Sequence, residues 1–364
     1  MKRIFIITTI LLSSVSVIAA RTPKDVKYRY TDATDLTLVG KLFEDTSNPY
    51  HRIDTERFTG FNERETIRLH EPSGLAVAFR TNSTSITVKA KYLNTRDINN
   101  SCEIAEYGFD LYIKENGRWV YADSHANTRK NKELPHVLIK HMEDTEKECL
   151  VYLPLYSELE SVKIGVVEGS DITAIEQPFR HRICVFGSSF TQGSGASRPG
   201  MIWSSQLARH TGLGMLNIGL GGHCTLQMPF AEAFAEADID AIIIDGFSNP
   251  KPSAIKKRLF PFIKKLQAAH PDIPIVFLKT IYRETRNFNK SSDQSEAEKM
   301  EVADSLMKIA CTEYDNVYYL TPDATCEYHD TSTDGTHPSD FGYRLWADSI
   351  RKPLLKIFKK YGIQ

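Results

Sequence analysis

Cysteine is scarce in this chain, six among 364 residues, and no two stand in a C-x-x-C spacing. That removes the usual framework of a structural zinc site, and no metal or other cofactor is expected. Six cysteines cannot staple a protein of this size, so its stability must come from buried apolar surface. Charge of one sign is lacking too: 45 basic residues face 46 acidic ones. Neither nucleic acid nor an anionic membrane is therefore an expected partner. Long apolar runs are absent after the first twenty residues, so no later segment is expected to insert into a bilayer. Mean hydropathy is low at −0.33, and nothing resembles the broad apolar lid of a long-chain lipase.

What is present begins at the N-terminus. Lys2 and Arg3 precede an apolar run from Ile4 to Ile18, followed by Ala19-Ala20. This order of charged, apolar and small residues is that of a secretory signal peptide over residues 1–20. No cysteine lies near the cleavage point to carry a lipid anchor. The expected location is secreted or periplasmic. Without the leader the balance is 43 basic against 46 acidic residues, a net −3. In an exported chain Cys102 and Cys149 are a candidate disulfide, whereas Cys184 sits in an apolar run and reads as a core residue.

Length and pattern both suggest two domains. Residues 21–177 are rich in short alternating segments. Leu75, Val77 and Phe79 alternate with Ala76, Ala78 and Arg80, and Ile86, Val88, Ala90 and Tyr92 alternate with Thr87, Lys89 and Lys91. Further strands are predicted at residues 108–114, 119–122, 136–140, 149–153 and 162–167, with no amphipathic helix between them. An antiparallel β-sandwich or jelly roll follows. From residue 178 to 364 apolar runs alternate with helical periodicity. Strands are predicted at 183–186, 215–218, 241–244, 275–278 and 317–320. One helix presents Ile255, Leu259, Phe262, Ile263 and Leu266 opposite Lys256, Lys257, Lys264 and Lys265, with Pro261 marking a kink. The segment from Tyr282 to Glu296 is polar and reads as an exposed loop. A last helix is predicted from about Ser339 to Lys359. Strand–helix alternation implies α/β architecture around a parallel sheet, with ligands bound beyond the carboxyl ends of its strands.

Four chemically useful segments fall at that edge. Gly187-Ser188-Ser189-Phe190-Thr191-Gln192-Gly193 follows the first strand and places Ser189 where a hydroxyl can enter a crevice. Asn217-Ile218-Gly219-Leu220-Gly221-Gly222-His223 follows the second, and Asp245-Gly246-Phe247-Ser248-Asn249-Pro250 the third. Asp334-Gly335-Thr336-His337-Pro338 precedes the last helix and supplies a carboxylate and an imidazole three residues apart. A strand-end serine with a distant His and Asp is the set that nucleophilic acyl transfer requires. A lone Gly-Ser-Ser turn is as often an ordinary βα connection, and His337-Pro338 also reads as a helix start. The convergence of all four segments favours catalysis.

This order resembles the SGNH, or GDSL, hydrolases across residues 180–360. The resemblance implies Ser189 as nucleophile, His337 as general base and Asp334 as its partner. It also implies an oxyanion hole of the Ser189 amide, the Gly222 amide and the Asn249 side chain. Ser188 replaces the usual Asp before the nucleophile, and Gly246-Phe247-Ser248-Asn249-Pro250 replaces the usual Gly-x-Asn-Asp block. Both departures are similar to one branch of the family, in which Ala-Ser-Arg-Pro-Gly-Met follows the nucleophile, here Ala196 to Met201. That branch carries an N-terminal sandwich with a Gly-x-Asp-Leu-Tyr signature, matched by Gly108 to Tyr112. Arg198 and His223, flanking the site, are candidate substrate contacts. Exported members with a sandwich resemble carbohydrate esterases that release acetyl or other small acyl groups, which makes an acylated carbohydrate the expected partner. A lysophospholipase or thioesterase is the second enzyme reading, and a carbohydrate-binding protein with a vestigial site the third.

Overall fold

The computed structural model describes residues 26–364, so the leader expected over residues 1–20 lies outside the described residues. Ten strands build the first half: β1 (Tyr28–Asp32), β2 (Thr37–Val39), β3 (Ala76–Thr81), β4 (Ile86–Thr95), β5 (Phe109–Glu115), β6 (Arg118–His125), β7 (His136–Ile139), β8 (Lys147–Tyr152), β9 (Ser157–Val167) and β10 (Ile172–Ala174). They form two antiparallel sheets, β1-β9-β4-β7 and β10-β3-β8-β5-β6, with β2 joined to β3. Val77, Phe79, Leu111 and Val151 meet Ile86, Val88, Val162 and Ile164 between the sheets.

The second sheet is buried on both faces. Ala76, Ala78, Tyr112, Leu150 and Tyr152 point away from the sandwich into a cluster that includes Trp203 and Leu207 of the C-terminal half. This explains the small-large alternation of Ala76-Val77-Ala78-Phe79. The large residues fill the sandwich, and the small ones let the neighbouring layer approach.

Two short helices interrupt the strands where none was expected, α1 (Glu63–His70) and α2 (Glu103–Tyr107). Helix α1 is closed by a reciprocal cap. The Asn62 side chain accepts from the Glu65 amide, and the Glu65 carboxylate accepts from the Asn62 amide. The N-x-x-E spacing was the available signal, but only Leu69 among its apolar residues is buried, so periodicity was silent. The proposed Cys102–Cys149 disulfide does not form: Cys102 is exposed, Cys149 is buried in β8, and all six cysteines are free.

The C-terminal half holds a five-stranded parallel sheet in the order β12-β11-β13-β14-β15. Its strands are β11 (Arg180–Gly187), β12 (Leu213–Gly219), β13 (Ala241–Asp245), β14 (Ile275–Leu278) and β15 (Val317–Leu320). The helices are α3 (Ser189–Gln192), α4 (Trp203–Thr211), α5 (Met228–Ala235), α6 (Pro252–Ala269), α7 (Lys290–Glu313) and α8 (Asp340–Lys359). Helices α4 and α8 cover one face, where Trp203 stacks on Trp346 at 5.2 Å; α5, α6 and α7 cover the other. The fold is a three-layer α/β domain preceded by an antiparallel β-sandwich.

The segment from Tyr282 to Glu296 is not a loop. It contains a 3₁₀ turn, Glu284–Asn287, and the first two turns of α7, capped by Asn289 accepting from the Ser292 amide at 3.0 Å. The inward residues here are Glu296 and Lys299, paired at 2.6 Å. A buried face made of an ion pair leaves no apolar stripe to recognise.

Candidate active site

Parallel pairing brings the expected segments to one edge. Gly187, the last residue of β11, lies beside Gly219 of β12 and Asp245 of β13. The chain then turns through Ser188 into α3, so Ser189 leads that helix at the sheet's carboxyl edge. Fully buried Asp245 fastens this turn. Its Oδ2 accepts from the Ser188 amide at 3.1 Å, the Ser188 hydroxyl at 2.7 Å and the Thr191 hydroxyl at 3.1 Å. Ser188 thus stands as a neutral donor to a carboxylate on the neighbouring strand. Burial raises the Asp245 pKa, opposed by those donors.

The Ser189 hydroxyl lies 2.9 Å from His337 Nε2, and His337 Nδ1 lies 2.8 Å from Asp334 Oδ2. The carboxylate fixes the proton on Nδ1 and leaves the Nε2 lone pair for the serine. Asp334 also accepts from the Thr336 and His337 amides at 2.9 and 2.8 Å, and from Asn100 Nδ2 at 2.7 Å. Burial alone would raise its pKa, but the hydrogen bonds from His337 and Asn100 hold it well below the usual carboxylate range. Gly195, at φ +90°, permits this approach: a Cβ there would stand 2.6 Å from the Pro338 carbonyl oxygen and 3.3 Å from the His337 Cβ.

Glu284 secures the same loop from behind. Its carboxylate accepts from the amides of Thr331 and Ser332, both at 2.9 Å, and from both their hydroxyls. Burial pushes this carboxyl up, yet those donors outweigh it and lower its pKa to about 2. Phe190 sets its ring edge-on to the imidazole, with centroids 5.5 Å apart.

The three expected oxyanion donors line one cleft of about 420 Å³ with Ser189 and His337. Among the described residues the Ser189 and Gly222 amides have no acceptor, and Gly222 turns with φ +76°. Asn249 Oδ1 accepts from the Cys224 amide at 3.2 Å, which commits the oxygen and leaves the amide nitrogen to face the cleft. The Ser248 carbonyl just before it is held by Arg283 at 2.7 Å and Lys299 at 3.0 Å. Asn249 therefore keeps its place although the glycine of its block is displaced.

A third of the cleft lining was not anticipated. Arg68 from α1 and Arg96, Ile98 and Asn100 from the segment after β4 reach it from the N-terminal half, and Arg283 lines it from the segment before α7. Sequence gave no signal for these, because each acts across a long separation from the residues it faces. His223 follows Gly222 but does not line the cleft; its carbonyl accepts from the Gln227 side chain, and burial followed by the nearby Arg68 charge lowers the ring's pKa.

Arg198, the other expected substrate contact, points elsewhere. Its Nη1 donates to both Asp110 oxygens at 2.9 and 2.8 Å and to the Tyr112 hydroxyl at 2.7 Å, while its guanidinium lies 3.9 Å from the Tyr121 ring centroid. The Gly200 amide donates to the same carboxylate at 2.8 Å. The Asp and Tyr of Gly-x-Asp-Leu-Tyr and the Arg and Gly of Ser-Arg-Pro-Gly-Met are the two halves of one latch between the domains.

Away from the cleft, His51, His70 and Glu158 bring ligand-type atoms within 4.8 Å of one another. The two imidazoles are stacked 3.7 Å apart at 7°, and both bond the same Glu158 oxygen at 2.9 and 3.1 Å.

Residues 180–355 match the GDSL-like lipase/acylhydrolase family, and residues 28–172 match the N-terminus of SGNH-hydrolase-type esterases. A Bacteroides ovatus protein described as a GDSL-like lipase is 35% identical, with 92% of this chain and 98% of that one covered and a TM-score of 0.88. A salicylyl-acyltransferase from a tetracycline biosynthetic pathway shares the fold at 18% identity, 93% and 99% coverage and TM-score 0.70. So does an acetyl xylan esterase from the rumen bacterium Butyrivibrio proteoclasticus, at 14% identity, 92% and 100% coverage and TM-score 0.54. No curated protein matches the chain. With the 35% identity running through both halves, the chain belongs to the GDSL-like lipase/acylhydrolase family in its SGNH-type esterase form and is a carboxylic ester hydrolase.

Proposed function

We propose that this enzyme is an exported esterase that removes acetyl or other small acyl groups from carbohydrates through a covalent acyl-serine. The observation that carries the reading is the Ser189–His337–Asp334 relay, with bonds of 2.9 and 2.8 Å, opening on a cleft with three uncommitted donors. His337 Nε2 takes the Ser189 proton as Oγ attacks the ester carbon. The resulting oxyanion is met by the amides of Ser189 and Gly222 and by Asn249 Nδ2. Collapse expels the alcohol, which receives the proton from His337. Water, activated by the same imidazole, then releases the acid and restores Ser189.

The cleft wall combines the polar side chains of Arg68, Arg96, Asn100, Gln192, Asn249 and Arg283 with the apolar surface of Ile98, Phe190 and Tyr156. Those guanidinium and amide groups offer hydrogen-bond partners to the hydroxyls of a sugar. The same two-part fold in an acetyl xylan esterase and in a family two carbohydrate esterase from Cellvibrio japonicus supports the same substrate class. The Lys2-Arg3 and Ile4–Ile18 pattern supports export.

Acetate release from acetylated xylan and pectin, set beside 4-nitrophenyl esters of increasing length, tests the reading. Release of acetate together with falling activity beyond short acyl chains is expected. Activity rising steadily with chain length would assign the enzyme to lipid or thioester substrates instead. Labelling by a fluorophosphonate, lost in Ser189→Ala, tests the nucleophile independently.

A further inference from the structure

Three arginines of the N-terminal half, Arg52, Arg68 and Arg96, lie around the Gly219–Gly222 turn, and one buried carboxylate, Glu71, attracts all three but pairs only with Arg96. Glu71 is already committed: Arg96 grips both its oxygens, one of them at 2.9 Å through Nη2, and the Gln192 amide nitrogen donates to it at 2.5 Å. Arg52 is wholly buried and spends its donors on carbonyls, among them Gly219 at 2.8 Å. Arg283 across the cleft has its own acid, Glu296, at 3.3 Å.

Arg68 has none. Among the described residues no carboxylate lies within ion-pair distance of it, and its one side-chain bond is a long contact from Nε to the Gly221 carbonyl at 3.4 Å. Its terminal nitrogens are not among the buried groups and its side chain lines the cleft. The position is rigid, since α1 is capped by Asn62 and Glu65, and the Arg68 carbonyl is itself held by Arg52.

A cation in a partly desolvated wall, repelled by Arg96 and Arg64 and attracted by Glu71 only at a distance, gains most from an anion that pairs with it directly. Guanidinium geometry matches a carboxylate through two parallel bonds. We propose that the acyl-bearing sugar is an acidic one, and that Arg68 binds its carboxylate beside the Gly221–Gly222 turn. This rests on the carbohydrate-ester reading above and narrows it to carboxylated sugars. Arg68 is thereby a specificity determinant contributed by the sandwich half to the hydrolase site.

The same charge could instead act on the oxyanion at Gly222, which would favour every ester alike. The experiment separates the two roles. An O-acetylated galacturonic acid is compared with the same compound capped at its carboxylate as a methyl amide, with 4-nitrophenyl acetate as a third substrate. The wild-type enzyme is expected to prefer the free acid by about tenfold or more in kcat/KM, mainly through KM, and to lose the preference at high ionic strength. Arg68→Gln should bring the ratio close to one, and Arg68→Lys should retain part of it. Equal rates on the free and capped sugars in the wild type overturn the inference and leave the carbohydrate reading intact. A fall in all three substrates with an unchanged ratio in Arg68→Gln also overturns it, in favour of the oxyanion role. If neither sugar is cleaved while 4-nitrophenyl acetate is, the carbohydrate reading and this inference fail together.

Discussion

Replacing Asp110 by alanine takes away a carboxylate that has no exposure to solvent and leaves three donors behind. Two of its bonds come from Arg198 Nη1 at 2.8 and 2.9 Å, and one from the Gly200 amide at 2.8 Å. The stranded guanidinium cannot turn outward easily, because Tyr112 bonds it and the Tyr121 ring covers it at 3.9 Å. Breaking a buried pair by deleting one partner costs about 3–5 kcal/mol, most of it the cost of the uncompensated charge. For a protein of this size that corresponds to a fall in melting temperature of roughly 4–7 °C. Thermal and urea unfolding would measure it, with Asp110→Leu/Arg198→Met as the control. The double variant removes both charges and fills similar volume, so it should recover most of the loss. A single-variant cost below about 1 kcal/mol, or a double variant no better than the single one, would refute the latch. A large drop in kcat with no loss of stability would return Arg198 to the substrate.

Other consequences are as direct. Ser189→Ala and His337→Ala should each abolish turnover of 4-nitrophenyl acetate, while Asn249→Ala should lose about 10²–10³ in kcat, as expected for one oxyanion donor; an undiminished rate would remove Asn249 from the mechanism. Asn100→Ala deletes a 2.7 Å bond to Asp334 and should lower kcat about tenfold with little change in KM, read by steady-state kinetics. Glu284 has a folded pKa of about 2, below its unfolded value of about 4.3. Its stabilisation is therefore present above the unfolded value and lost as pH falls from about 4 towards about 2. Urea titrations across that window should show the loss, and Glu284→Gln should flatten it while destabilising the neutral protein by about 1–3 kcal/mol. Because every cysteine is free, reductant should leave the melting temperature unchanged.

The sequence made the parallel sheet legible because its strands are continuous apolar runs, and burial on both faces demands such runs. Residues 275–278 and 317–320 were bounded to the residue, and α8 begins one residue after its Ser339 cap. The candidate catalytic segments were legible for a related reason: three follow a strand directly and the fourth directly precedes the last helix, so placing the element places the side chain. What stayed hidden depends on partners distant in the chain. Helix α1 is held by its cap rather than by an apolar stripe, and the inward side of early α7 is the Glu296–Lys299 pair. Arg198 sits beside the nucleophile in sequence, and proximity suggested a substrate role; its partner Asp110 lies 88 positions earlier. The cleft's arginines have the same character, since nothing in a local window says that Arg68 and Gly221 are neighbours.

Two pieces of the sandwich half thus finish a pocket whose reactive atoms belong to the other half. Arg68 hangs on α1, and Arg96 and Asn100 hang on the connection between β4 and α2; neither piece carries the parallel sheet or the relay. Arg68 is therefore separate in the chain from Ser189, Asp334 and His337, whereas Asn100 reaches across to support Asp334. Changes at Arg68 can redirect the enzyme among esters while Asn100, which bonds Asp334, and Glu71, which holds Gln192, stay in place. Exchanging Arg68 alone is thus the most economical way to alter its preference.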